Sequence, residues 1–351
     1  LDASGRATRR VVRLPSGLEV AAIEPRMPAN AVAFGTATAL AGATVVVAGG
    51  ATAADGAVLD TFEVLVLDDA GAARRVEPLG APRRDHTAVR RAGDVILVGG
   101  SDDSGPLASL ERIAPEAVSS SIAPGRLVRA RRAPVVVVRV DGSLVVAGGT
   151  DAGGVVGTVE IVAADLSRSD EVAFSELPAG LPVPRWVAAL PGPRLLWAAA
   201  LETFVVTLDG TPEAIRLDVL APTPDGAVAT GLSDGRALVV GRTGSFVVAW
   251  VVDPSSRAAP SPRDASRAPG VLVPMNDGVV AELDEVGATL RRETRLSPLD
   301  PPRASWQLPI DLGALALDAE PRWDPVAVGE RGLTALVDGA RVDVPVLRLG
   351  H

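Results

Sequence analysis

A short β-branched run ending in two glycines occurs three times at a nearly constant interval. The copies lie at 44–50, 94–100 and 143–149, and their glycine pairs are 50 and 49 residues apart. A fixed period in this range marks a chain of stacked supersecondary units, none of which can bury its apolar face alone. Architecture is therefore constrained before composition is considered.

Ahead of each copy lies a second apolar stretch, joined to it by a short turn containing glycine. Residues 31–34 lead to Ala41-Gly42, residues 87–89 to Ala92-Gly93, and residues 135–140 to Asp141-Gly142. A glycine turn between two β-branched runs is a hairpin signal, because tight hairpins need positive φ. The same turn finds further units where the glycine pair has been lost, at Pro191-Gly192, Asp234-Gly235, Asp277-Gly278 and Arg331-Gly332. The turn glycines 42, 93, 142, 192, 235, 278 and 332 are separated by 51, 49, 50, 43, 43 and 54 residues, which predicts seven units. Each unit continues into a third strand, as at 61–67, 158–162 and 204–208. In most units a more polar fourth follows, as at 74–79 and 171–177, suited to an outer edge that meets water. No window sustains helical apolar spacing, so the expectation is an all-β chain.

Pro-Arg recurs, mostly at the joints between units. It occurs at Pro25-Arg26, Pro82-Arg83, Pro184-Arg185, Pro262-Arg263, Pro302-Arg303 and Pro321-Arg322, with Arg131-Arg132 standing in at the third unit. Units are expected to start near 26, 83, 132, 185, 225, 263 and 322 within one domain spanning 1–351. An insertion or long connection is expected between Arg303 and Trp323. The last unit runs out of chain after three strands, so a strand from residues 1–25, either 8–14 or 18–23, is expected to supply its outer edge.

Units of four strands and 40 to 50 residues predict a seven-bladed β-propeller whose ring the N-terminal segment closes. The order Pro-Arg, apolar strand, turn, apolar strand ending in Gly-Gly, loop and third strand resembles the kelch repeat. In the second unit the resemblance extends to the first-strand histidine, in the segment Pro82-Arg83-Arg84-Asp85-His86-Thr87. It is clear in the first three units and faint afterwards, and the family's third-strand Tyr and fourth-strand Trp are missing.

Composition removes whole classes of chemistry. The chain contains no Cys, Tyr or Lys, so all 34 basic residues are Arg. A GC-rich genome accounts for this bias. Disulfides, thiol or tyrosine nucleophiles and lysine Schiff bases are therefore impossible. That excludes the Tyr–Cys chemistry of galactose-oxidase-like propellers and the tyrosine nucleophile of sialidase-like ones. A net charge of −9 without a basic run argues against nucleic acid as the main partner. No stretch approaches the length of a transmembrane helix. The chain begins at Leu1, and a leader or anchor is expected ahead of it, which points to an extracellular, periplasmic or outer-surface location.

The strand order places the second-to-third loops and the joints on one face. There the post-glycine loops bring Asp55, Asp102, Asp103 and Asp151 near the joint residues Arg26, Arg83, Arg132 and Arg185, with Trp186 beside them. The kelch resemblance implies recognition of a protein or glycan partner through this face. The competing reading is that these groups cap loops and pair between units. His86, the one internal histidine, is the only ordinary general base, and it sits where the kelch pattern itself carries His. One internal His and no Cys leave no readable metal site, and no cofactor is expected. The expectation is a non-catalytic binding or scaffold module. The alternatives are a carbohydrate-active enzyme, epimerase- or lyase-like, with an Asp/Glu/Arg site at the channel mouth, and a self-assembling subunit of a surface or extracellular structure.

Overall fold

The apolar run before each glycine pair is the second strand of a four-stranded antiparallel sheet, and both its faces are buried. In the second sheet this strand is Asp94–Val98, flanked by Thr87–Arg91 and Ser109–Ala114, with Ser119–Arg126 outermost. Val95 and Leu97 pack toward the first sheet, against Val46, Phe62 and Leu40. Ile96 and Val98 pack the other way, against Leu144 and Val146 of the third sheet. Burial on both faces explains why the run is continuously apolar rather than alternating. Each such Val, Ile or Leu contributes about 1.5–3 kcal/mol on leaving water, so the core lies between sheets.

The computed structural model describes side chains through most of residues 35–64 and 75–260. It describes backbone alone in strands at 11–13, 18–21, 32–33, 65–68 and 71–74, and from 262 onward at 262–264, 271–274, 279–284, 287–292, 304–308, 323–329, 332–337 and 340–348. The first sheet is Thr36–Ala39, Thr44–Ala48, Thr61–Asp68 and Gly71–Pro78, and the third is Val135–Val138, Leu144–Ala147, Val159–Val162 and Ser169–Glu171. The fourth is Pro184–Leu190, Arg194–Ala199, Thr203–Thr207 and Glu213–Arg216, and the fifth Asp225–Gly231, Ala237–Thr243, Phe246–Val252 and Pro262–Asp264. The sixth is Val271–Pro274, Val279–Asp284, Gly287–Arg292 and Ala304–Leu308. A last sheet of five strands runs Trp323–Gly329, Gly332–Val337, Ala340–Arg348, Leu18–Ala21 and Val11–Arg13. First strands of successive sheets pack side by side, and Trp323–Gly329 lies against Thr36–Ala39.

Three details depart from the sequence expectation. The outer strand of the third sheet is Ser169–Glu171 rather than 171–177, because Phe174 turns inward to join the core between the third and fourth sheets. Pro262-Arg263 is no joint: it lies in the outer strand of the fifth sheet, and the sixth begins at Val271. Of the segment expected to be an insertion, Ala304–Leu308 is the outer strand of the sixth sheet, and residues 309–322 lie outside the described residues.

Glycine pairs occur where two constraints coincide. Gly99 and Gly100 have φ of 63° and 103°, in the left-handed region that side chains resist. A Cβ on Gly99 would also fall well inside van der Waals contact of the Arg131 carbonyl oxygen, which Gly100 N–H reaches at 2.9 Å. The hairpin turn of the second sheet is less demanding than its Gly93 suggests, because Ala92 takes the left-handed conformation instead, at 54°. Space around Gly93 is open. Gly99→Ala is expected to destabilise the fold by about 2–4 kcal/mol in chemical denaturation, whereas Gly93→Ala should change it by less than about 1 kcal/mol. Equal effects would remove the close-approach explanation.

Candidate functional site

The joint arginine is the first residue to place, because the candidate face is built around it. Arg83 has no solvent exposure. Its guanidinium donates to the Gly99 carbonyl at 3.0 Å, to Ser109 Oγ at 3.2 Å and to Glu111 Oε2 at 3.0 Å. The other oxygen of Glu111 accepts from Gly80 N–H at 2.5 Å, which fixes the connection arriving from the first sheet. Meanwhile the Arg83 carbonyl accepts from Gly50 N–H at 2.7 Å, on the first sheet. One residue thus ties the end of the first sheet to the interior of the second.

The next joint repeats this with Arg131. It is fully buried, donates to the Gly148 carbonyl at 3.0 Å and to Glu160, and offers its own carbonyl to Gly100 N–H. Glu160 also accepts from Val128 N–H at 2.7 Å, Arg129 N–H at 3.1 Å and Ser169 Oγ at 2.7 Å. Burial lowers the pKa of both arginines, and the paired carboxylates act against that shift. This corrects the sequence reading, which took Arg132 as the partner of Arg83 in the repeat. Counted back from the first strand, Arg83 and Arg131 each stand four residues before it, whereas Arg132 matches Arg84. Arg84 and Arg132 form single bridges to Ser101 and Thr150. The ion pairs themselves were missed, although Glu63, Glu111 and Glu160 recur in the third strands at intervals of 48 and 49 residues.

The remaining candidates divide by exposure. Asp102 and Asp151 cap the hairpins that follow the glycine pairs, Ser101–Asp102 with Gly105–Pro106 and Thr150–Asp151 with Gly154–Val155. Asp102 accepts from Ser104 N–H at 2.8 Å, Ser104 Oγ at 2.5 Å and Gly105 N–H at 3.1 Å, and the Ser104 hydroxyl holds its carboxyl below the usual range. Asp151 accepts from Gly153 N–H at 2.7 Å. Asp103, Arg132 and Arg185 are exposed. Trp186 is buried in the core between the fourth and fifth sheets, and its indole N–H donates to the Pro222 carbonyl at 2.8 Å, so it offers no stacking surface. Arg26 and Asp55 lie outside the described residues.

His86 is equally internal. It is 5% exposed, with Nε2 2.7 Å from Thr36 Oγ1 of the first sheet. Burial, then the nearby Arg83 charge, lowers its pKa to about 3, so it is neutral near pH 7. Among the described residues no group of three or more acidic or histidine side chains is placed to hold a metal.

The exposed apolar side chains on this face were not anticipated. Val155 on the post-glycine hairpin of the third sheet, Val183 on the joint that follows and Leu201 in the second-to-third turn of the fourth sheet are 50%, 59% and 79% exposed. In that turn Ala199 N–H donates to the Glu202 carbonyl at 2.8 Å, so the chain reverses at once instead of extending a hairpin.

No protein-family model matches this chain. No curated protein matches it. Among solved structures it is similar to that of YjhT, with a TM-score of 0.54 and 13% identity over 80% of this chain and 99% of that one. At that identity the likeness concerns the fold alone, and with the four-stranded antiparallel sheets it fits a β-propeller.

Two outcomes test the internal roles. Arg83→Met should cost about 3–5 kcal/mol, because Glu111 is left charged and buried, and adding Glu111→Leu should recover part of it. A cost below about 1 kcal/mol for the single change would show the pair to be dispensable. For His86, the unfolded chain takes up a proton near pH 6.5 and the folded chain only near 3. Its contribution to stability is full above 6.5 and is lost as pH falls toward 3. Denaturation at neutral and mildly acidic pH should therefore show a smaller acid loss in His86→Gln than in the parent chain. An identical loss would leave His86 without a part in it.

Proposed function

We propose that the chain is a seven-bladed, kelch-like β-propeller, closed by Leu18–Ala21 beside the last sheet, that acts as a non-catalytic module binding a protein partner outside the cytoplasm. The contact of Trp323–Gly329 with Thr36–Ala39 and the pairing of Leu18–Ala21 with Ala340–Arg348 support the ring. The observation that carries the binding assignment is the exposure of three apolar side chains, Val155, Val183 and Leu201, at the loop-face ends of the third and fourth sheets. The exposed cations Arg132 and Arg185 belong to the same two sheets' approaches. Exposed apolar groups beside arginines are the composition of a protein-recognition surface. Enzyme chemistry has less to stand on, because Arg83, Arg131, Glu111, Glu160 and His86 are consumed by packing.

A photo-crosslinking amino acid placed at Leu201 or Val183 tests this. It should give one discrete heterologous adduct in the source organism, lost with Arg132→Glu and Arg185→Glu together, and none from the same probe at Ile122 on the outer rim. Charge reversal should weaken binding by about tenfold or more. Adducts containing only a second copy of the chain would replace partner binding with self-assembly. Equal labelling from all three positions would remove the assignment.

A further inference from the structure

The opposite face, formed by the first-to-second and third-to-fourth turns, carries a cavity. It lies between the first and second sheets and has a volume of about 540 Å³. Leu40, Val64 and Val118 supply apolar lining, while Arg75, Arg90 and Glu116 bring charge to it. A cleft of this size, apolar with a few polar groups, has the proportions of a small-molecule site.

The placement of the two arginines follows from strand geometry. Arg91, the neighbour of Arg90 on Thr87–Arg91, donates to the carbonyls of Gly142 and Ala164 on the side of the third sheet. Successive strand residues point to opposite faces, so Arg90 is directed to the first sheet. Arg75 arrives from that sheet, on an outer strand where it pairs in register with Val64. No ion pair among the described residues engages Arg75, Arg90 or Glu116, whereas Arg112 of the same sheet is paired with Asp94 at 2.6 Å. Two guanidiniums against one carboxylate leave a local positive balance in a chain of net charge −9. The two turns of the second sheet that border the cavity each hold a non-glycine residue in the left-handed region, Ala92 at 54° and Val118 at 47°. For a β-branched residue such as Val118 this is a strained conformation. Val118 N–H donates to the Pro115 carbonyl at 3.2 Å, which ties down that turn.

We infer that this cavity binds a small amphiphilic acid, with its carboxylate on Arg75 and Arg90 and its apolar body against Leu40, Val64 and Val118. Guanidiniums suit a carboxylate because they offer paired N–H donors in one plane. The apolar lining disfavours a fully hydrated anion such as free phosphate. The site is independent of the loop face, since the two lie at opposite ends of the strands.

The experiment is calorimetric titration of the full chain with 2-naphthoate, using 2-naphthamide as its neutral counterpart. Saturable binding of one naphthoate per chain is expected, with the amide weaker by about tenfold or more. Arg75→Gln with Arg90→Gln should weaken naphthoate to the level of the amide. Gly93→Trp should abolish binding of both, and its fold should persist because the space around Gly93 is open. A melting curve matching the parent chain checks that. Retained binding in Gly93→Trp would place the ligand elsewhere and overturn the inference. Equal affinity for acid and amide would do the same for the role of the arginines. Absence of saturable naphthoate binding up to about 1 mM would overturn the site itself.

Discussion

The structure depends most on a residue that works from both ends. Arg83 and Arg131 each give a backbone carbonyl to the glycine pair of one sheet and a buried guanidinium to the interior of the next. Apolar faces hold stacked sheets through many small, non-directional contacts. A guanidinium fixed by a carbonyl and a carboxylate has one position, and leaving either partner unpaired is costly. The device therefore contributes register more than net stability. It also accounts for the glycines, since the carbonyl of one arginine occupies the space a side chain at Gly99 would need.

Where the arginine is absent, aromatic packing takes over. The fourth sheet has Ala199 and Ala200 in place of the glycine pair, and its loop reverses within a tight turn. Trp197 is fully buried with its indole N–H on the Pro182 carbonyl, and Trp186 reaches the Pro222 carbonyl in the connection to the fifth sheet. An indole does both tasks of the ion pair, filling volume and satisfying one stray carbonyl. The exchange has a consequence at the surface. The post-glycine hairpins rise from the stapled sheets, and the fourth sheet has a short turn there that exposes Leu201.

Much of this was legible in the sequence because the constraints are local. A strand buried on both faces must be continuously apolar, and a tight turn must find a residue for positive φ, so residues 94–98 and Asp141-Gly142 announce themselves. Joint register was not legible, because Arg131 and Arg132 differ only in their distance from Val135, and nothing local says which faces inward. The recurrence of Glu111 and Glu160 held that information and needed to be read together with the arginines. Phe174 was misplaced for a related reason: a strand-like stretch was diverted by the gap between two sheets. Trp186 looked available because it follows an arginine, yet the alternation of Pro184–Leu190 sends it into the core and leaves Arg185 outside.

The same alternation separates Arg90 from Arg91, and this gives the turn face its character. Along Thr87–Arg91 one arginine braces the third sheet through two carbonyls, and its neighbour is delivered to the cleft against the first sheet. The Asp94 carboxylate acts on the Arg91 charge, whereas no ion pair among the described residues engages Arg90. The stapled arginines at the other end are neutralised by Glu111 and Glu160. Repeats built from one pattern thus place their cations in two electrostatic settings, spent at the joints and unspent between the turns. An acidic ligand has a reason to choose the second.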